Sequence, residues 1–127
     1  MSQLAERIAQ FRKMATDDPD NELGHFRLGQ LLMEDNQHAE AIASFARTLE
    51  LSPHFSKVYQ LLAECHIKLE RPAEAIKVLN QGWQVADERG DKMPRDAMGQ
   101  LLRQLGEAAP QSRQPLGAAP GPGGDGA

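Results

Sequence analysis

A chain of 127 residues with 40% hydrophobic and 25% charged residues has the composition of one ordinary globular domain. Its net charge of -4 argues against a phosphate-backbone binder, which needs a basic stripe. No apolar run approaches the ~20 residues of a membrane span, and the single cysteine, Cys65, excludes an internal disulfide framework and any multi-cysteine zinc site.

The opening MSQLAERIAQF places charges where a secretory leader needs an apolar stretch, so a cytoplasmic location is expected. Residues 2–16 read as an amphipathic helix: Leu4, Ile8, Phe11 and Ala15 share one face, and Ser2 is placed to cap its start. Asp17-Asp18-Pro19-Asp20 ends it, because proline disfavours a helical residue before it. Residues 21–35 form the next helix, started by Asp20 or Asn21, with Leu28 and Leu32 facing inward. Gly29 costs roughly 1 kcal/mol of helix propensity against alanine. The expected return is close approach of a partner helix, with small Ala41 facing the gap. Asn36 falls in the following turn, where it tolerates left-handed backbone.

Residues 38–51 give a third helix with an inner stripe of Ala41, Ile42, Phe45 and Leu49, closed by Ser52-Pro53. Residues 55–69 and 72–87 repeat the pair, with Ala63 in place of Gly29 and Pro72 in the first turn of its helix. Glu70 stands in place of Asn36, which predicts a looser turn, and Asp87 in place of Pro53, which predicts a longer helix. Residues 94–105 read as a last helix: Pro94 suits its first position, Ala97, Met98, Leu101, Leu102 and Leu105 are apolar, and Gly106 is a stop signal. From Glu107 the chain is too poor in large apolar residues to offset its ordering entropy, so 107–127 is expected to be a disordered tail.

The recurrence has a fixed period. Leu28 returns as Leu62, Ala41 as Ala75, Ile42 as Ile76 and Phe45 as Leu79, while Pro53, Phe45 and Ile42 have earlier counterparts in Pro19, Phe11 and Ile8. Ala-Glu pairs at 5–6, 39–40 and 73–74 keep the same register. The pattern His25-x2-Leu28-Gly29-x2-Leu32, Ala41-x3-Phe45, Pro53 resembles the tetratricopeptide repeat (TPR), a helix–turn–helix unit of 34 residues. The resemblance implies an all-α, TPR-like helical solenoid of about two and a half repeats and six helices. Residues 1–106 are then one domain: a half repeat at 2–19, repeats at 22–55 and 56–89, and a capping helix at 94–105. That last helix lacks the Leu-Gly signature and is expected to cover Leu79 and Trp83.

The resemblance further implies a non-catalytic scaffold that binds a protein or peptide in the concave groove of its repeats. The family's groove positions are the second, fifth, ninth, twelfth and thirteenth of each repeat. Here they are Leu23, Phe26, Gln30, Met33 and Glu34, then Lys57, Gln60, Glu64, Ile67 and Lys68. These share a stripe away from Leu28 and Leu32. Leu23, Phe26 and Met33, with Ile67 one repeat on, make an apolar strip suited to an amphipathic helix or an extended segment. Phe26 is expected to lie outside the core, so that Phe26→Asp leaves the fold intact and removes partner capture; the alternative is that Leu23 and Phe26 pack against the N-terminal helix, or that a second chain covers the strip. Some TPR domains hold a C-terminal carboxylate with cations at the fifth and ninth positions. Phe26, Gln30, Gln60 and Glu64 supply none, so chaperone-type acidic C-terminal peptides are not expected to bind.

No nucleophile elbow, phosphate loop or pair of catalytic carboxylates is present, so neither an enzyme nor a cofactor is expected. Cys65 and His66 point about 100° apart on a helix, poor geometry for chelating one ion. His25, His38, His54 and His66 lack the i, i+4 spacing of a helical metal site. Cys65 reads as a small inward residue, and His25 and His66, which replace the repeat's tryptophan and tyrosine, as half-buried packing residues. The charged stretch 87–96 reads as a loop carrying an N-cap aspartate for the last helix, or alternatively as an ionic contact for a partner. Nucleic acid and membrane are not expected partners. Two alternatives to the scaffold remain: a homodimer through the uncovered face of the N-terminal helix, and an adaptor in iron or oxidative-stress handling. The second rests on the similarity of DERGD-x-MPRD to bacterial TPR proteins joined to an iron-trafficking-type domain.

Overall fold

Apolar positions spaced three and four apart fold as six helices in the computed structural model, which describes residues 2–112. They are α1 (Gln3–Asp17), α2 (Glu22–Glu34), α3 (His38–Leu51), α4 (Ser56–Lys68), α5 (Pro72–Arg89) and α6 (Lys92–Gln104). No strand occurs among the described residues, and the fold is all-α as expected. Each helix packs on the next, and α4 also reaches α6. The helices therefore form two layers, α2, α4 and α6 in one and α1, α3 and α5 in the other, with shallow clefts where the second layer parts over α2 and over α4. Residues 107–112 carry no helix, and the rest of the expected tail lies outside the described residues.

Two apolar clusters fill the space between the layers. Ile8, Leu28, Leu31, Leu32, Phe45, Val58 and Leu62 form the first, and Tyr59, Leu79, Trp83, Met98 and Leu102 the second, with Leu49 and Val78 packed against both. The cap works as expected, because α6 buries Met98 and Leu102 with Leu79 and Trp83. Gly29 sits at the closest approach of α2 and α3. A Cβ there would lie 2.5–2.8 Å from three atoms of the Phe45 ring, so Phe45, rather than the expected Ala41, uses the gap. Gly82 does the same between α4 and α6, where a Cβ would collide with Tyr59 and lie 2.7 Å from Met98 Sδ.

Four helices close with one device. Asn36, Glu70, Gly90 and Gly106 all have positive φ. At each, paired backbone bonds satisfy the last carbonyls, as in Asn36 N to Met33 O (2.9 Å) with Gln37 N to Leu32 O (2.8 Å), and Glu70 N to Ile67 O (3.0 Å) with Arg71 N to His66 O (2.8 Å). The turn at Glu70 is thus as tight as that at Asn36, not looser. Its two bonds and the packing of α4 on α5 hold glutamate at φ 58°.

The longer helix expected from Asp87 is present: α5 has 18 residues against 14 in α3. Only Gly90 and Asp91 separate α5 from α6, and the net shift places Met98-Gly99 where α2 has Leu28-Gly29 and α4 has Leu62-Ala63. The Leu-Gly signature is therefore represented, two residues late. The helix starts at Lys92, and Pro94 occupies its third position. The first amide to bond back is Arg95 N, to Asp91 O at 3.1 Å, so the proline forfeits no helical bond.

Each first-layer helix is tethered to the corner before it. His25 Nε2 donates to Pro19 O (2.9 Å), Tyr59 Oη to Pro53 O (2.8 Å) and Arg95 Nη1 to Asp87 Oδ1 (2.9 Å). Asp87 occupies the proline's place in the third pair and is 1% exposed. Left-handed backbone costs a non-glycine residue roughly 1–2 kcal/mol, and glycine gives back about 0.4–1 kcal/mol by widening the unfolded ensemble. Glu70→Gly is accordingly expected to stabilise the fold by roughly 0.5–1 kcal/mol, read as a higher midpoint in urea unfolding with an unchanged slope.

Candidate partner-binding face

The stripe expected on the inner helices divides by exposure. Leu23 is 61% exposed, Glu34, Lys57 and Lys68 are exposed, and Phe26, Gln30, Met33, Gln60, Glu64 and Ile67 are half-buried. Phe26 packs on Phe55 with ring centroids 4.7 Å apart and the rings tilted by 45°, and approaches Phe45 at 6.4 Å. It belongs to the margin of the core, which corrects the expectation that it stands free, and Met33 packs against the same cluster. The polar positions are tied along their helices. Arg27 Nη1 donates to Gln30 Oε1 (3.3 Å), Lys57 Nζ to Gln60 Oε1 (3.5 Å) and Gln60 Nε2 to Glu64 Oε2 (3.1 Å).

A third helix joins the stripe. With its two-residue shift, α6 brings Met93, Asp96, Gln100, Arg103 and Gln104 to the places of Lys57, Gln60, Glu64, Ile67 and Lys68. All five are exposed, Met93 at 86%. A strict 34-residue step would instead have pointed to the buried Met98 and Leu102. The usable signal was the apolar pair Met98 and Leu102, spaced as Leu28 and Leu32 are.

The two junctions along this layer differ. Between α2 and α4 the tilted Phe26–Phe55 pair occupies the corner. Between α4 and α6 the same places hold Gln60 and Asp91, and an open cleft of about 630 Å³ remains, lined in part by Phe55, Lys57, Arg89, Asp91, Lys92 and Met93. Asp91 Oδ2 accepts from Ser56 Oγ (2.7 Å) and Arg89 Nε (3.1 Å). The Ser56 hydroxyl first, and then Arg89, hold its carboxyl below the usual carboxylate range. The 87–96 stretch is therefore not a loop but the end of α5, a two-residue corner and the start of α6. Asp91 takes the N-cap position, yet its side chain is turned to Ser56 and Arg89 and caps nothing.

The remaining candidates are packing residues. Cys65 is buried, and burial, then the charge of Glu64, pushes its thiol up to about 12. No group of three or more His, Cys, Asp or Glu side chains is placed to hold a metal ion among the described residues. His25 is half-buried as expected, but His66 is only 9% exposed and its Nδ1 has no hydrogen-bond partner. It occupies the place that leucine fills at Leu32 and Leu102. Burial, then Arg71, lowers its pKa against the opposing pull of Glu74. On α1 only Ile8 is buried. Glu6, Arg7, Gln10, Lys13 and Asp17 are exposed beside Met14, a polar outer face rather than an apolar strip for a second copy. No helix among the described residues is long and apolar enough to cross a membrane.

The chain belongs to the tetratricopeptide repeat family: two family models described as tetratricopeptide repeat match it, over residues 5–54 and 32–93. Domains of this family in general mediate protein binding. No curated protein sequence matches the chain. Among solved structures it is similar to the TPR2B domain of yeast Sti1, solved as a complex with pHsp70, at a TM-score of 0.74 and 19% identity over 81% of this chain and 82% of that one. It is also similar to protein BPP2914 from Bordetella parapertussis, at a TM-score of 0.69 and 25% identity over 84% and 90%.

Phe26→Asp would press a carboxylate against two aromatic rings and is expected to lower stability by about 2 kcal/mol or more, seen as an earlier thermal midpoint by circular dichroism. His66 carries its own pH dependence. Its folded pKa lies below the unfolded value near ~6.5, so its contribution is intact above that pH and is lost as pH falls through it toward the folded value. His66→Leu removes the orphan Nδ1. It is expected to raise the melting temperature and to flatten the decline of stability below about pH 6.5, measured by melting across that window.

Proposed function

We propose that this chain is a non-catalytic scaffold that binds a protein or peptide along the stripe of α2, α4 and α6. The observation that carries the reading is the exposure of large apolar side chains at equivalent positions on the outer two of these helices, Leu23 and Met93, with Lys57 between them. Such side chains are left largely uncovered by the described residues, and a segment laid across the three helices would cover them. Half-buried Met33 and Ile67 extend the apolar contact, and Glu34, Glu64, Lys68 and Arg103 line it with both signs of charge, which sets alignment more than strength. The fifth and ninth positions, now including Asp96 and Gln100, still offer no cation, so a terminal carboxylate is not what this stripe is built to hold.

Photo-crosslinking amino acids placed at Gln60 and Gln100, with one at Lys77 on α5 of the other layer as control, test the reading. Crosslinked partner is expected from the two stripe positions and not from Lys77. Equal yield from all three, or yield from Lys77 alone, would remove the stripe as the site. Recovery of a second copy of the chain at the stripe would make it a homodimer interface.

A further inference from the structure

We infer that the cleft between the α3–α4 corner and the α5–α6 corner docks an acidic peptide segment bearing a large apolar side chain. It goes beyond the stripe proposed above and adjoins it at Lys57 and Met93.

At the preceding junction Phe26 packs on Phe55, whereas here Gln60 and Asp91 stand at the same places and no aromatic pair forms; the cleft lies between the start of α4 and the α5–α6 corner. About 630 Å³ is within the size range of sites that seat a ligand and is enough for a few side chains. Its wall is basic on a chain whose net charge is -4. Lys57, Arg89 and Lys92 face one carboxylate, Asp91, whose Oδ2 already accepts from Ser56 and Arg89. The Lys92 side chain makes no hydrogen bond or ion pair among the described residues, and that of Lys57 has only its 3.5 Å bond to Gln60. Arg89 donates to Asp91 through Nε, which leaves its terminal nitrogens for a further acceptor. Three cations facing a single carboxylate leave a local excess of positive charge in an acidic chain, a field that selects carboxylates.

The apolar half of the ligand follows from Met93 and Phe55. Met93 is 86% exposed and flexible enough to mould to a branched side chain, and Phe55 is half-buried beside it. A free inorganic anion would leave that apolar surface bare. A nucleic acid needs a longer basic track than one corner supplies. An acidic segment with an embedded leucine or similar residue uses both halves, and its carboxylates come from side chains, so a free C-terminus is not required.

The test uses the full chain and fluorescence anisotropy with a labelled, acetylated and amidated peptide of two glutamates, a leucine and two glutamates. Binding is expected to be at least tenfold tighter than for the same peptide with glutamine in place of glutamate, to weaken with added salt, and to be unchanged when the C-terminus is left free. Lys57→Glu with Lys92→Glu should lose at least tenfold. Lys68→Glu with Arg103→Glu, which changes net charge equally at the far end of the stripe, should stay within twofold. Met93→Ser should weaken the leucine peptide but not one with alanine at its centre. Equal loss in both charge-reversed variants would reduce the effect to net charge and overturn the site. Equal binding of the glutamine peptide, dependence on a free C-terminus, or equal binding of an oligonucleotide of matched charge would overturn the ligand. If crosslinks from Gln60 and Gln100 fail while these peptide results hold, the cleft stands without the stripe.

Discussion

The spacing of the two layers is set where a small residue meets a large one. Gly29 lies beneath Phe45, and the ring comes so near the α2 backbone that no Cβ fits between them. One repeat on, the same places hold Ala63 and Leu79, both fully buried in one cluster. A slightly larger floor is matched by a smaller lid, which is how packed interiors keep volume while sequence drifts. In the third unit no following helix lies above Gly99 among the described residues. The chain turns back after α6 and places Ala109 Cβ 3.6 Å from where a Gly99 Cβ would stand, beside Trp83. The last contact of the series is thus made by a turn of irregular chain.

Much of this was legible. The six helices, the all-α solenoid and the covering of Trp83 by the last helix follow from periodicity, because core positions repeat at fixed spacing and have few substitutes. What the sequence hid was physical rather than statistical. The Met98-Gly99 signature was hidden because α5 runs past Asp87 to Arg89 and the corner behind it shrinks to two residues. Length gained in a helix and lost in a loop is invisible to a fixed period. The tightness of the Glu70 turn is hidden because side-chain preference carries no trace of the two backbone bonds that hold it. Local preference of about 1 kcal/mol is outvoted when helix packing fixes the corner.

The candidate site was only half legible, for a related reason. Phe26 occupies a groove position of the family, and nothing in its own helix says that Phe55, a corner residue, will lie over it. Contacts between a helix and a loop of another repeat have no periodic signature. Arg95 shows the same blindness from the other side. It stands in the place of His25 and Tyr59, but its tether runs to the buried Asp87 carboxylate while its guanidinium lies 5.8 Å from the Trp83 ring. A histidine or tyrosine donating to a proline carbonyl is replaced by an ion pair that keeps the geometry with different chemistry.

These departures are also where the chain has side chains to spare. A regular repeat consumes its large residues in the contact with the next repeat: Phe26 is absorbed by Phe55, and Leu28 and Leu32 by the core. Where regularity lapses, at Gln60, Asp91 and the start of α6, the aromatic pair is missing, the corner is shorter and Lys57, Lys92 and Met93 are left in water. The scaffold sacrifices little by this, since α4 and α6 are still joined through Tyr59, Met98 and Leu102 below the cleft. A packed layer can therefore hold the spacing of the helices while the layer above it is free to vary. Variation confined to that upper layer changes the exposed surface without changing the fold that presents it.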